Sequence, residues 1–347
     1  MPTLNSDQLY QVAFRVLTGA GVSDDEAQVV ADELQEANLV GHDSHGIMRL
    51  MQYAEHIEQG FIKHGSDFEI VKDAPSFLVA DGHFNFGQVS ARKALDLGIE
   101  KARAVGTATV MVRNCNHVGR LGSYSQKAAK SGIGSMMAVN APGPGGVAPY
   151  GGMERRLGTN PISMSAPWGD DAFVLDMTTS ATAEGKLRVA HQKGESVPEG
   201  MIIDKDGNPT TDPGDYYEGG TLLPLGGPLA FKGYGMSVMI DLFAGAMSGS
   251  GLCRTDLPRG ANGVWMYLVD VNQFIDDSEY SPLIDTYVDA IKGTKKLPGV
   301  NEILMPGEIE QRRRAGRVES GVAIPDETWR QINELAGKLD VDLSDIG

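Results

Sequence analysis

The chain has 347 residues, is 41% hydrophobic and carries a formal net charge of −16. So negative a chain is poorly suited to nucleic acid or to an anionic membrane, and we expect neither as a partner. Two cysteines are too few for a disulfide framework and indicate a reducing compartment. No basic leader with an apolar run opens the chain, and no apolar stretch is long enough to span a bilayer. We therefore expect a soluble, cytoplasmic protein.

The chain order of predicted elements indicates an α/β protein. The first 60 residues are predicted to be helical, with a capping-box spacing at Ser23–Glu26 before the second helix. Strands and helices alternate after that, the strands being rich in β-branched residues. Strands are predicted at residues 77–80, 107–112, 134–139, 162–166, 173–176 and 264–271, and helices at 88–104, 121–131, 178–190, 235–247 (buried) and 325–339.

This pattern is not a regular β-α-β series. No Gly-X-Gly-X-X-Gly fingerprint follows a predicted strand, and no Walker sequence occurs. A nucleotide site in this chain is therefore predicted to differ from the Rossmann type.

The segment from Asp43 to Tyr53 is the most informative for function. It is predicted to form one helix that begins at Asp43 or Ser44 and ends at residue 60, with His45, Arg49 and Tyr53 four residues apart on one face. A helix start favours an anionic ligand, and imidazole beside guanidinium suits acid/base chemistry next to a carboxylate. The alternative interpretation is a solvated helix face whose arginine pairs with a surface carboxylate.

A second polar cluster follows the strand predicted at 107–112. Open α/β sheets bind ligands where strands end, and His117 lies there on a glycine-flanked loop. Its alternative role is a loop histidine bonded to backbone. His42, Asp43, His45 and His117 also have the donor types of a metal site, although their spacing fits no strong motif. A metal-dependent hydrolase or lyase is therefore a competing function.

Three further segments carry groups that suit phosphate or ribose. Hydroxyl side chains follow the strand that ends at Asp176, and Lys232 precedes a glycine-flanked helix start. The turn Pro306-Gly307-Glu308 can direct a carboxylate toward a ribose. Each signal is weak by itself, because the same residues commonly form helix caps and turns.

Together these segments resemble the malate/L-lactate dehydrogenase family of NAD(P)-dependent oxidoreductases, which is not of the Rossmann type. The matching segments occur in the family's order and cover nearly the whole chain. They are Asp43-Ser44-His45-Gly46 with Arg49 and Tyr53, Asn116-His117-Val118-Gly119-Arg120 with Gly122 and Tyr124, Leu157-Gly158-Thr159-Asn160-Pro161, Asp176-Met177-Thr178-Thr179-Ser180, Lys232-Gly233-Tyr234-Gly235 and Pro306-Gly307-Glu308.

The resemblance implies an α/β fold with a mixed sheet in the cofactor lobe and a helical lobe built from both chain ends. The implied boundaries are residues 1–75 for the helical lobe that carries His45 and Arg49, 76–290 for the NAD(P)-binding domain, and 291–347 for a segment that returns to the helical lobe. It further implies a homodimer, with the active site between the lobes and near the subunit interface.

The resemblance also implies the roles of individual residues. The proton-transfer residue is His45 or His117, with Ser44 beside His45 as a further catalytic residue. Contacts with a small carboxylate substrate are implied at Arg49, Tyr53, Asn140 and Thr159. Contacts with NAD or NADP are implied at His117, Gly119, Asp176, Met177, Thr178, Ser180, Lys232, Pro306, Gly307 and Glu308.

The predicted function is hydride transfer between a 2-hydroxy acid and a 2-oxo acid, with histidine acid/base catalysis. The negative charge that hydride transfer places on the substrate oxygen is what a positioned imidazole can neutralise. Reduction of a cyclic 2-imino acid, such as piperideine- or pyrroline-2-carboxylate, is the alternative, because only the atom that receives the proton differs.

Overall fold

The computed structural model describes residues 1–254 and 261–346. Its helices in chain order are α1 Ser6–Gly19, α2 Asp24–Leu39, α3 Leu50–Glu58, α4 Gly87–Val105, α5 Leu121–Lys130, α6 Glu184–Lys193, α7 Pro213–Tyr217, α8 Phe231–Ile240, α9 Asp277–Lys292, α10 Glu308–Ser320 and α11 Asp326–Lys338. Its strands are β1 Thr3–Leu4, β2 Glu69–Ala74, β3 Phe77–Asp81, β4 Thr107–Cys115, β5 Ile133–Asn140, β6 Ile162–Trp168, β7 Asp171–Met177, β8 Ile202–Ile203, β9 Pro209–Thr210, β10 Thr221–Leu222, β11 Asn262–Asp270 and β12 Val322–Ala323.

A central sheet carries seven of these strands in the order β2-β3-β4-β11-β5-β6-β7. Strands β3 and β4 are parallel, whereas every other neighbouring pair in the sheet is antiparallel. The predicted mixed-sheet α/β class is therefore confirmed. Alternate residues of β4, such as Val110 and Val112, are fully buried against α4 and α5, which provide Leu95 and Leu121 to the same core.

A second core joins the two ends of the chain. Leu9, Leu34 and Leu50 of the N-terminal helices pack in one cluster with Ile332 and Ile346. The short strand β1 pairs with β12, so residues 3–4 lie beside residues 322–323. A third, smaller core lies under the sheet β10-β8-β9 and helices α6 and α7. The boundaries 1–75, 76–290 and 291–347 stay a prediction.

The segment around His45 differs from its prediction. The expected single helix is wrong, because Gly46 has extended backbone with ψ of −157° and breaks it. A Cβ at Gly46 would lie 2.1 Å from Asn38 Oδ1, and that oxygen instead accepts the backbone N–H of Ile47. The segment is two short 3-10 turns and a helix, namely Asp43–His45, Ile47–Arg49 and Leu50–Glu58.

Two further local predictions are also wrong. Ser23 makes no side-chain capping bond, and the Glu26 carboxylate binds Asn85 and the backbone N–H of Gly65 instead of the helix start. The helix expected to be buried at residues 235–247 begins at Phe231, becomes a π-helix at Asp241–Ala246, and exposes several large apolar side chains.

Candidate active site

Two histidines from separate segments face each other. His45 lies at the end of the first 3-10 turn, and His117 lies on the loop between β4 and α5. Their rings stack with centroids 5.2 Å apart and planes 6° from parallel. The structure thus brings together the two polar clusters on which the sequence-based prediction depends.

His117 is held by a buried chain of polar side chains. Its Nδ1 lies 2.8 Å from the Tyr53 hydroxyl, and Gln88 Nε2 donates to that hydroxyl over 2.6 Å. Gln88 is fully buried and Tyr53 is 1% exposed. Burial raises the pKa of Tyr53 to about 12, so the phenol is protonated in the resting protein. The sequence analysis missed Gln88. The available signal was that Gln88 is a polar residue on the apolar face of α4, near the start of that helix.

His45 has a different environment. Its Nδ1 is buried and makes no hydrogen bond within the described part of the chain. Burial lowers the pKa of His45 to about 3, with further lowering from Arg49, His42 and Arg120 nearby. The ring is therefore neutral at ordinary pH. The predicted proton-transfer pair thus consists of one oriented imidazole and one that lacks an orienting partner at Nδ1.

Side-chain hydrogen bonds hold the two 3-10 turns in place. Arg49 Nε donates to the Ser44 carbonyl over 2.7 Å, and its Nη1 donates to Gln52 Oε1 over 2.6 Å. Asp43 is engaged on the other side by Asn38 and Arg317, each 2.8 Å from Oδ1. These bonds fix the Arg49 guanidinium within one short turn of His45.

Arg120 and Asp176 form a buried pair beside this segment. Arg120 Nε lies 3.6 Å from Asp176 Oδ2, which also accepts the backbone N–H of Gly122 over 2.8 Å. Burial raises the pKa of Asp176, although Arg120 opposes the shift. Arg120 is 4% exposed, and within residues 1–254 and 261–346 its Nε and Nη1 have no hydrogen-bond partner. A small cavity next to it is lined by apolar and polar residues, among them Val174, Gly307 and Glu310.

The turn at 306–308 lies against the middle of strand β7. The backbone N–H of Val174 donates to Pro306 O over 3.1 Å. Gly307 has a φ of +97°, and a Cβ there would lie 3.2 Å from Val174 N, so the turn needs glycine. The Glu308 carboxylate binds Lys292 and accepts the backbone N–H of Met305. Its predicted contact with a ribose stays a prediction, with the carboxylate engaged inside its own turn.

The chain after β7 folds onto itself. Thr178 Oγ1 donates to Ser180 O, and Ser180 Oγ donates to Thr182 O over 2.7 Å. The backbone of Thr179 is bonded to Thr159 O and accepts from Leu225, which brings the approach to α8 beside this segment. Met177 is partly buried at the end of β7, and Lys232 is exposed on α8.

Asn140 is placed differently from the predicted substrate contacts. It is fully buried, and its amide donates to Asp241 and Gly251 while its oxygen accepts from Gly263. Both N–H groups are thus engaged inside the protein. A direct contact with substrate stays a prediction, and the geometry offers it no unused donor.

Comparison with known proteins shows the family to which the chain belongs. The sequence profile described as malate/L-lactate dehydrogenase matches residues 4–333. The chain belongs to the malate/L-lactate dehydrogenase family. It is 37% identical over 345 residues to a malate dehydrogenase of Pyrococcus horikoshii, covering 97% of this chain and 95% of that protein. It is 38% identical over 336 residues to an L-sulfolactate dehydrogenase of Methanocaldococcus jannaschii, covering 95% of each.

The three-dimensional match is as broad. The solved sulfolactate dehydrogenase of Methanocaldococcus jannaschii superposes with a TM-score of 0.89 at 35% identity, covering 99% of each chain. The suspected resemblance is therefore confirmed, and this member of the malate/L-lactate dehydrogenase family is an oxidoreductase that acts on CH–OH groups. Membership implies a nicotinamide cofactor.

The residues of the site fit such a cofactor by their donor types. A dinucleotide carries phosphate charge and ribose hydroxyls, and Arg120 presents buried N–H groups that lack partners in the described chain. The carboxylate of Glu310 and the backbone at Gly307 line the cavity next to that arginine. A buried cation, a carboxylate and the backbone of Gly307 therefore lie together beside β7.

The described residues also bear on a metal site and on a membrane span. Within residues 1–254 and 261–346, no group of three or more His, Cys, Asp or Glu side chains is arranged to hold a metal ion. No helix of those residues is both long and apolar enough to cross a membrane.

Proposed function

We propose that this protein interconverts a small 2-hydroxy acid and the matching 2-oxo acid with NAD or NADP, and that His117 moves the proton. The observation that carries the assignment is the 2.8 Å bond between Tyr53 and His117 Nδ1. An acid/base imidazole works at one nitrogen when the other is fixed by a partner. His45 lacks such a partner at Nδ1 among the described residues, and its low pKa keeps it neutral.

Arg49 is the proposed partner of the substrate carboxylate. Its guanidinium is anchored through Nε and Nη1 beside His45, and a planar fork binds a carboxylate with defined orientation. That orientation decides which substrate carbon faces the site of hydride transfer. Ser44 and Thr159 stay proposed polar neighbours of the substrate, whereas Tyr53 is proposed to act through His117 because its hydroxyl is engaged there.

The nicotinamide ring, when bound, donates or accepts the hydride. We propose that the segment from Asp176 to Ser180, together with Gly119, Lys232 and the turn at 306–308, holds the dinucleotide. Support comes from the bonds that gather these segments, Val174 to Pro306 and Leu225 to Thr179. Asp176 is proposed to act partly through Arg120, whose guanidinium lies 3.6 Å from its carboxylate.

The test is a substrate panel with both reduced cofactors. We expect oxidation of NADH or NADPH, read by loss of its absorbance, with 2-oxo acids that carry a second acidic group, as in the substrates for which the two relatives are named. Turnover of piperideine- or pyrroline-2-carboxylate instead would select the imino-acid alternative. Absence of cofactor oxidation with every compound, or activity abolished by a chelator, would contradict the proposal.

We also propose that the protein is a homodimer. Helix α8 and the π-helix after it expose a band of large apolar side chains that a monomer leaves in water. We expect light scattering of the wild type to give about twice the 37.1 kDa chain mass. The variant Met239→Glu is expected to have a lower measured mass. A monomeric wild type would contradict the proposal. The band consists of Phe231, Met236, Met239, Leu242 and Met247, which are 39–56% exposed.

A further inference from the structure

The hydrogen-bond chain behind His117 has a direction. Gln88 Nε2 lies 2.6 Å from the Tyr53 oxygen, and that oxygen lies 2.8 Å from His117 Nδ1. An amide N–H can only donate, and a tyrosine hydroxyl has a single hydrogen. Because the phenol oxygen accepts from Gln88, its own hydrogen is left for His117 Nδ1.

We propose that Gln88 is a positioning residue that fixes the tautomer of His117, so that the neutral ring carries its proton on Nε2. Nδ1 accepts from Tyr53 in this arrangement, which leaves Nε2 as the protonated nitrogen. The assignment concerns the direction of hydrogen bonds alone and holds without substrate.

Close backbone packing holds Gln88 next to the loop that carries His117. Helix α4 begins at Gly87, directly before Gln88, and a Cβ at Gly87 would lie 2.1 Å from Asn116 O and 2.5 Å from the carbonyl carbon of His117. The helix start therefore packs directly on the backbone of the His117 loop. Any side chain at position 87 would push the donor away from Tyr53.

Charged groups pack around the relay. Arg92 lies four residues after Gln88 and so on the same face of α4. Arg92 is bound by the buried carboxylate of Glu33 from α2. Arg49, Tyr124 and the stacked ring of His45 also lie near Tyr53 or His117.

The consequence for catalysis rests on the proposed function. In reduction, Nε2–H donates its proton to the substrate oxygen as hydride reaches the carbon, and Nδ1 takes the hydroxyl proton of Tyr53. One N–H bond and one O–H bond break, one O–H bond and one N–H bond form, and the negative charge moves from substrate to the phenol oxygen. An alkoxide is a stronger base than a phenolate, so the proton moves from Tyr53 toward the substrate, and the N–H of Gln88 donates to the phenolate oxygen that results.

The test reads the tautomer directly. Full-length protein with ring-¹⁵N histidine is compared with His117→Asn, which identifies the His117 signals in a two-bond ¹H–¹⁵N spectrum. We expect a protonated-type shift at Nε2 and an unprotonated-type shift at Nδ1 in the ligand-free wild type. The opposite pattern would overturn the proposal. No substrate is present, so the result is independent of whether the proposed reaction is right.

Gln88→Glu supplies a near-isosteric variant with the opposite preference. Its carboxylate accepts the Tyr53 hydrogen, so the phenol oxygen must accept from Nδ1–H and the His117 proton moves to Nδ1. We expect the two ¹⁵N shifts to exchange and kcat to fall by up to about 10⁴-fold with little change in KM, as for a histidine held in the wrong tautomer. Unchanged ¹⁵N shifts of His117 in this variant would contradict the proposal that Gln88 fixes the His117 tautomer.

Two further variants keep the test decisive. Gln28→Glu adds the same charge at an exposed position of α2 and is expected to leave the His117 shifts and kcat as in wild type. Tyr53→Phe removes the hydroxyl and is expected to release the tautomer, giving averaged shifts at both ring nitrogens. A wild-type pattern that persists in Tyr53→Phe would show that another group sets the tautomer.

Discussion

The variant His117→Asn is expected to have a kcat lowered by roughly 10²–10⁴-fold, because a positioned acid/base group usually contributes that much. The physical reason is that His117 is the imidazole with a partner at Nδ1, so its removal takes away the oriented proton carrier. Steady-state rates with the best substrate from the panel measure the effect. Circular dichroism of the variant confirms that its fold is retained.

The matched variant His45→Asn separates the two histidines. His45 takes up a proton only near pH 3, so it is neutral across the range in which the enzyme is assayed. We expect a smaller loss of kcat and a pH profile between pH 5 and 9 that keeps the wild-type shape. His64→Asn, in the loop after α3, controls for loss of a histidine outside the site. A large loss of kcat in His45→Asn, together with a small loss in His117→Asn, would reverse the assignment of the proton-transfer residue.

Alanine at Arg49 is expected to lower kcat/KM by about 2–5 kcal/mol, or roughly 30- to 5,000-fold, mostly through KM. The variant leaves a substrate carboxylate in the site without its cation. Arg49→Lys keeps the charge but loses the planar fork, so we expect an intermediate loss. The measurement is the dependence of the initial rate on substrate concentration for the three proteins.

A surface arginine provides the control for Arg49. Arg330 on α11 is exposed and paired with Glu327 and Glu334, and such pairs contribute little. Arg330→Ala is expected to leave kcat/KM within about threefold of wild type. A comparably small change in Arg49→Ala would remove Arg49 from the proposed site.

The elements with strong local patterns were the predictable ones. Strand β4 is rich in β-branched residues and has buried residues at alternate positions, and α4 has a clear apolar period, so both appear close to their predicted bounds. Helix α10 was missed, because it has no buried residue and its polar sequence shows no apolar period. Strand β2 was missed for the same reason, since most of its residues are exposed.

The predicted helix face at residues 45–53 failed for a different reason. Helical spacing placed His45, Arg49 and Tyr53 together, but the turn is interrupted at Gly46 by the side chain of Asn38. The three side chains nevertheless serve one region, because the 3-10 turns and α3 carry them past the loop of His117. The correct grouping thus arose from tertiary packing and not from the helix that suggested it.

The amino-acid sequence alone determined which reactive side chains are present and in what order. These are two histidines on polar segments, an arginine near one of them, and a set of ordered motifs typical of one family. It also determined the α/β class, because strand and helix periods are local properties. Only the tertiary structure decided which histidine has an oriented ring. The bonds that decide it join Tyr53 to His117 and Gln88 to Tyr53, which are 64 and 35 residues apart. No local pattern encodes contacts between residues that meet only when α3, α4 and the loop after β4 pack together.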